Sequence, residues 1–193
     1  MSGNNTTSSF STTRILVECA VLIAMGTVLD QIKLFRMPLG GSVTLCALVP
    51  FVIIALRHGT KWGVISGIAN VILQIALGGI YPTPAGTAIA MVGEVVFDYL
   101  IAYGCFGLAY VFAKPFKNKA GGAAFAMVMC CLIRFLSAFI SGVIIWGSIS
   151  EGVWPAVTYS LSYNAGYMIP VTILNTAAIY LLAKKTPQIF NMK

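Results

Sequence analysis

The sequence is poor in charge. Asp, Glu, Lys and Arg together make up 9% of its 193 residues, and only five of those are acidic. A soluble domain carries roughly 25% charged residues, so this chain cannot clothe a water-facing globule. A cytosolic enzyme, a nucleic-acid binder and a disordered protein are thereby excluded. Histidine is almost absent: His58 stands alone, which leaves little room for a histidine-built metal site or catalytic triad. There is no G-x-S-x-G, no H-E-x-x-H and no G-x-x-x-x-G-K-[ST]. The chain therefore lacks a nucleophile elbow, a zincin motif and the phosphate cradle that ATP hydrolysis needs. The five cysteines, Cys19, Cys46, Cys105, Cys130 and Cys131, are odd in number and show no C-x-x-C spacing. Each lies in an apolar run, where it reads as a small core hydrophobe.

What is abundant is apolar sequence, 59% of the chain, with a mean hydropathy of +0.91. The polar, Ser/Thr/Asn-rich stretch 1–13 reads as a disordered tail without the basic start and cleavage site of a signal peptide. Its Asn4-Asn5-Thr6 fits a glycosylation sequon, a match common by chance. Six hydrophobic runs follow, at about Arg14–Gln31, Val43–Leu56, Trp62–Leu77, Ala88–Ala113, Ala120–Gly147 and Val157–Ala183. The second is short for a bilayer core, which takes roughly 20 residues. Gly and Pro clusters punctuate them: Met37–Gly41, His58-Gly59, Gly78-Gly79 with Pro82 and Pro84, Lys114-Pro115, and Gly152 with Pro155. In lipid every backbone polar group must be satisfied internally, which leaves helices or a closed barrel. The runs are too long and continuous for barrel strands, which alternate over about ten residues. The expected fold is an all-α integral membrane protein of six transmembrane helices, one membrane domain over 14–185 and a short tail over 186–193.

The net charge of +7 sets an orientation. With the N-terminus cytoplasmic, Arg14, Arg57, Lys61, Lys114, Lys117, Lys119, Lys184, Lys185 and Lys193 fall inside, and only Lys33 and Arg36 fall outside, with Glu151. That is the positive-inside pattern, so both termini are expected in the cytoplasm.

Helix association in lipid relies on small residues. Ala20-x-x-x-Ala24 with Gly26 lies on the first run, Gly63-x-x-x-Gly67 on the third, and Ser137-x-x-x-Ser141 beside Ala138-x-x-x-Gly142 on the fifth. The last two sets read as internal packing.

Polar groups at membrane depth are functional candidates by default. Glu94 and Asp98 are four residues apart, which puts both carboxyls on one helix face, and Tyr99 follows. Two adjacent carboxylates suit a cationic ligand; the competing expectation is a buried ion pair with Arg134 on the fifth run. Glu18 reads as an interfacial partner of Arg14, and Asp30 as a solvated group near Lys33. The outer half of the last two runs holds Trp146, Trp154, Tyr159, Tyr163, Asn164 and Tyr167. An interfacial belt explains Trp154 and Tyr167. It explains Asn164 less well, since an amide offers the donors and acceptors that a heteroaromatic ring edge requires. With the stacking faces of Tyr159, Tyr163 and Trp146, these residues outline an outward pocket for a flat, positively charged aromatic compound.

Several segments resemble the thiamine-specific S component of energy-coupling factor (ECF) vitamin transporters. They are Met37-Pro38-Leu39-Gly40-Gly41-Ser42-Val43-Thr44-Leu45 running through Pro50 to Gly59, Phe97-Asp98-Tyr99, Phe139-Ile140-Ser141-Gly142-Val143-Ile144-Ile145-Trp146-Gly147, and Tyr159-Ser160-Leu161-Ser162-Tyr163-Asn164-Ala165-Gly166-Tyr167-Met168-Ile169-Pro170. The likeness runs from about Arg14 to Lys185. It implies that Asp98 matches the acidic residue that binds an aminopyrimidine, with Tyr99 beside it. Trp146 matches a stacking residue, and Tyr159 and Asn164 match sixth-helix pocket residues. It also implies that Met37, Pro38, Gly40, Gly41 and Ser42 belong to a lid loop, and that Ala20 and Ala24 dock on a transmembrane coupling subunit served by two ATPase subunits. No cofactor, metal or nucleic acid is implied, and the location is the bacterial cell membrane. Two departures stand out. Ala138 occupies the place of a family histidine, and Tyr81–Gly93 is longer than usual and lacks a His-Pro element. A thiamine precursor or another B vitamin therefore remains an alternative ligand. A self-sufficient carrier, proton-coupled through Glu94 and Asp98, is the alternative of a different class.

Overall fold

The structure, a computed structural model, describes residues 11–149 and 152–190. The expected tail up to residue 10, the sequon within it, Glu151 and Lys193 lie outside the described residues.

Helix α1 (Thr12–Gln31) starts where the Ser11 side chain accepts from the Arg14 N–H at 3.4 Å, so Thr12 and Thr13 are helical and not part of a tail. A polar hydroxyl at this position satisfies one of the open N–H groups of the first turn. After α1 the chain forms a small antiparallel hairpin, β1 (Lys33–Arg36) and β2 (Ser42–Thr44), joined through a 3-10 turn at Pro38–Gly40. Gly40 has φ +99°, a backbone conformation that glycine adopts without steric cost.

Helix α2 (Val49–His58) corrects the expected second span. Val43 and Thr44 belong to β2, Cys46 turns the chain with φ +55°, and Pro50 sits in the first helical turn, where its missing N–H is tolerated. At 1.5 Å per residue, ten residues reach about 15 Å, half a bilayer core. With the hairpin it carries the chain back from the far end of α1 to the start of the next helix, and within the bundle α2 is a central pin: Val52, Ile54, Ala55 and Leu56 are all but sealed from the surface.

Helices α3 (Thr60–Gly78), α4 (Ala88–Ala113), α5 (Lys119–Ile144) and α6 (Val153–Lys185) complete the bundle. With α1 they are the five helices long and apolar enough to cross a membrane. Thr87 caps α4, and Asn118 caps α5 by accepting from Ala120 N–H at 3.1 Å and Gly121 N–H at 3.3 Å. Pro155 lies inside the first turn of α6 and does not break it. The expected tail after α6 is partly ordered, since Pro187–Phe190 forms a 3-10 turn that buries Phe190.

Small residues draw the helices together as expected for α3 and α5. A Cβ on Gly67 would stand 2.5 Å from the Tyr103 carbonyl oxygen of α4, and one on Gly142 would stand 2.1 Å from Ser160 Oγ of α6. Neither position tolerates a side chain. Helix α1 differs: Gly26 packs under Phe51, but Ala20 and Ala24 are exposed among Val17, Val21, Met25 and Val28.

Helix alternation puts Arg14, Arg57, Lys61, Lys114, Lys117, Lys119, Lys184 and Lys185 at one end of the bundle. There Glu18 gathers Arg14 (Nε, 3.2 Å), Arg57 (Nη2, 2.8 Å) and His58 (Nε2, 3.0 Å). Arg57 also donates to the Ile189 carbonyl at 2.9 Å. Glu18 is therefore a junction of α1, α2 and the C-terminal turn as well as the expected partner of Arg14.

Candidate functional site

The opposite end of the bundle opens onto a cavity of about 280 Å³. Helix α4 supplies its floor. From Val95 to Ile101 that helix widens into π-helical turns, then tightens to 3-10 geometry at Cys105–Leu108. Such turns recur at functional sites because they re-aim side chains without ending the helix. Here they carry Asp98 and Tyr99 toward the cavity, one turn after Glu94.

The two carboxyls have different surroundings. Asp98 accepts from Ser141 Oγ at 2.5 Å, and Trp146 lines the cavity beside it. Glu94 is 2% exposed, and its Oε2 has no hydrogen-bond partner among the described residues. The ion pair with Arg134, set against the ligand expectation, is not formed by either carboxyl. Arg134 lies with its guanidinium 4.3 Å over the Tyr103 ring, donates to Tyr103 Oη at 3.2 Å, and lines the same cavity. Asp30 and Lys33, expected in water, also line the cavity.

Helices α5 and α6 make the opposing wall. Trp146 follows the end of α5, in the 3-10 turn Trp146–Ile149. Tyr159 and Tyr163, one turn apart on α6, stack at 5.8 Å, and Tyr163 meets Tyr167 edge-on at 5.9 Å. Asn164 is buried. Its Nδ2 donates to the Ser160 carbonyl at 2.9 Å and the Ala138 carbonyl at 3.4 Å, and its Oδ1 accepts from Tyr167 Oη at 3.0 Å. The amide donors are therefore engaged within the protein, and the free capacity of Asn164 is the remaining lone pair of Oδ1. Tyr167, expected in the interfacial belt, faces the cavity. Trp154 is 80% exposed at the start of α6, as a belt residue would be.

The hairpin closes the top. Gly40, Gly41 and Ser42 line the cavity. Tyr163 Oη donates to the Pro38 carbonyl and accepts from the Gly41 N–H at 3.0 Å, tying both sides of the hairpin tip to α6. Met37 is not among the lining residues; its N–H donates to the Gly41 carbonyl at 2.7 Å.

Glu94, Asp98, Tyr99, Trp146, Tyr159, Tyr163 and Asn164 thus surround one space. Sequence reasoning missed Tyr81, which lines the cavity and abuts Gly40, and Tyr103. It read Ser141 only as a packing residue. The four-residue stripe of Arg134, Ala138 and Gly142 along α5 was the one local signal of a shared face.

A family model described as thiamine transporter protein (Thia_YuaJ) matches residues 16–191. The thiamine transporter ThiT of Bacillus subtilis (strain 168) is 29% identical over 185 residues, covering 90% of this chain and 92% of the relative. A solved structure of ThiT from Listeria monocytogenes is similar with a TM-score of 0.74 at 22% identity, covering 92% of this chain and 97% of its own. A structure of the S component of a bacterial ECF transporter is similar with a TM-score of 0.65 at 16% identity, covering 94% and 99%. These last two likenesses concern the fold.

Proposed function

Because the chain belongs to the thiamine transporter protein family, a family of transporters and not of enzymes, we propose that it is the substrate-binding S subunit of an ECF transporter. In this reading it captures thiamine from the outside and passes it inward together with partner subunits.

One observation carries the reading: acidic, aromatic and amide groups from α4, α5 and α6 converge on a cavity at the end away from the basic cluster of Arg14, Arg57 and Lys61. Its ~280 Å³ lies at the small end of ligand sites, which run from about 300 Å³ upward, and suits a compact vitamin. The carboxyls of Glu94 and Asp98 serve a cationic, donor-rich ring. Trp146 and Tyr159 offer faces for stacking, and Tyr99 and Tyr163 fill the walls. Asn164 contributes its free acceptor and orders Tyr167. The hairpin from Met37 to Ser42 is the lid.

The basic end faces the cytoplasm, with both termini inside the cell, in a bacterial plasma membrane. Ala20 and Ala24 form the docking surface for the coupling subunit, which two ATPase subunits drive. Their exposure among apolar neighbours on α1 supports this, because small residues let another helix approach closely.

The test is titration of the purified protein with thiamine while tryptophan fluorescence is followed. Quenching is expected, since Trp146 borders the cavity. No change at micromolar thiamine overturns the assignment. A thiamine precursor or another B vitamin, titrated in parallel, is the alternative that position 138 leaves open.

A further inference from the structure

The hairpin has an outer side that the cavity does not use. All four residues of β1 are exposed, with Leu34 and Phe35 open by 56% and 58%. Strict strand alternation would turn one of these two under. Here the register shifts between Lys33 and Phe35, where Lys33 pairs with Thr44 and Phe35 already with Val43. A bulge of this kind leaves one residue unpaired and re-aims side chains. Both apolar side chains therefore stay outside, beside an equally exposed Ile32. Lys33 borders the cavity, whereas Arg36 is exposed and makes no ion pair among the described residues.

Depth decides what covers this patch. Helix α1 has 20 residues. At 1.5 Å each they span about 30 Å, the thickness of a bilayer core. β1 begins two residues beyond the end of α1, so it lies at the membrane surface away from Arg14. Trp154, exposed at the start of α6, stands at the same end, as a belt residue does. Apolar side chains next to an arginine at that depth match the two layers of a lipid surface, upper acyl carbons and phosphate. The sheet has only two strands, so the second edge of β1 is open. A second copy pairing there would bring Lys33 and Arg36 against like charges, a device by which edge strands resist such pairing. Lipid phosphate carries the opposite charge.

We propose that β1 anchors the hairpin in the phospholipid surface, with Leu34 and Phe35 among the upper acyl carbons and Arg36 on lipid phosphate. The hairpin is then held at two margins, by Tyr163 of α6 at its tip and by lipid along β1. Nothing in this depends on which compound the cavity takes.

The experiment uses the full chain in lipid nanodiscs. In its first arm Phe35→Cys carries an environment-sensitive fluorophore, and wild type taken through the same labelling supplies the background of the native cysteines. Lipids with a nitroxide near the headgroup are expected to quench the label at least twofold more than lipids with a nitroxide in mid-chain. The second arm follows hydrogen exchange of residues 33–36 without ligand. Leu34→Ser combined with Phe35→Ser should speed it about fivefold or more, the scale of losing part of the transfer energy of two apolar side chains, with the melting temperature unchanged. Wild type should exchange ~5-fold more slowly in phosphatidylglycerol than in phosphatidylcholine, the contribution of one basic residue at an anionic surface, and Arg36→Gln should lose that difference.

The proposal is overturned if the label is quenched by neither lipid, which leaves β1 in water or against a second copy, or if the mid-chain lipid quenches it more. It also falls if the double serine variant exchanges as wild type does, or melts lower, which would make Leu34 and Phe35 part of the protein's own packing. Equal exchange of wild type in the two lipids, or a difference that survives Arg36→Gln, removes Arg36 from the lipid phosphate and overturns that half of the anchor.

Discussion

At the basic end of the bundle Glu18 is met by three nitrogen donors, from Arg14, Arg57 and His58, and through Arg57 it reaches the backbone of the C-terminal turn. At the other end Glu94 is more deeply buried and keeps an oxygen without a partner. The residue type is the same and the helices are equally apolar around it. One end uses its carboxylate to hold α1, α2 and the chain terminus together. The other leaves its carboxyl open beside a cavity. The difference teaches where this protein places its stability and where it gives some up: the carboxylate of Glu18 is fully engaged where elements are joined, and that of Glu94 keeps an open oxygen where a ligand is to be received.

Glu18→Ala is expected to have the largest effect. It strands a buried His58 and the guanidinium of Arg57, and breaking such a cluster from one side costs about 3 kcal/mol. Thermal melting in detergent should fall clearly, while thiamine affinity of the folded fraction stays within about twofold. Unchanged melting with lost binding would reverse the contrast between the two ends.

Tyr163→Phe tests the ligand end with a smaller change. The ring and its stacking on Tyr159 remain, but the hydroxyl that ties Pro38 and Gly41 is lost. One hydrogen bond of this kind is worth about 1 kcal/mol. Thiamine should dissociate ~5-fold faster, and hydrogen exchange at Gly41 should quicken even without ligand. Equal exchange in both proteins would show that the hairpin is held by other contacts.

Ala24→Leu is expected to have the smallest effect on the molecule itself. The site is exposed, where substitutions usually stay within ~0.5 kcal/mol, so melting and thiamine binding should match wild type. ATP-driven uptake in vesicles with the partner subunits should nevertheless drop, because a leucine holds the facing helix away. Undiminished uptake would remove Ala24 from the docking surface.

The apolar runs were legible wherever they were long. Ala88–Ala113 matches its expected bounds residue for residue, because lipid leaves a continuous apolar segment of that length little choice but a helix. The run Val43–Leu56 was misleading for the same reason: it is uninterrupted in hydropathy, yet Cys46 turns it and Pro50 restarts it as a short buried helix. In the site, the four-residue spacing of Glu94 and Asp98 survived the widened turns of α4, since either helix geometry keeps such residues on one side. Tyr81 gave no local signal, because it lies in the connection before α4 and meets Gly40 only through the fold.

What the sequence by itself determined is the medium and the crossings: too few charges for water, runs long enough for a bilayer, and basic residues gathered between alternate runs. What only the tertiary structure decided is which polar group answers which. Arg134 had two carboxyls and a tyrosine as candidate partners on the neighbouring helix, and it lies on the tyrosine. Composition and spacing fix which faces of a helix are polar. Ångström-scale distances between helices far apart in sequence, set here by residues such as Gly67 and Gly142, fix which polar groups are within reach, and so leave Glu18 tied and Glu94 open.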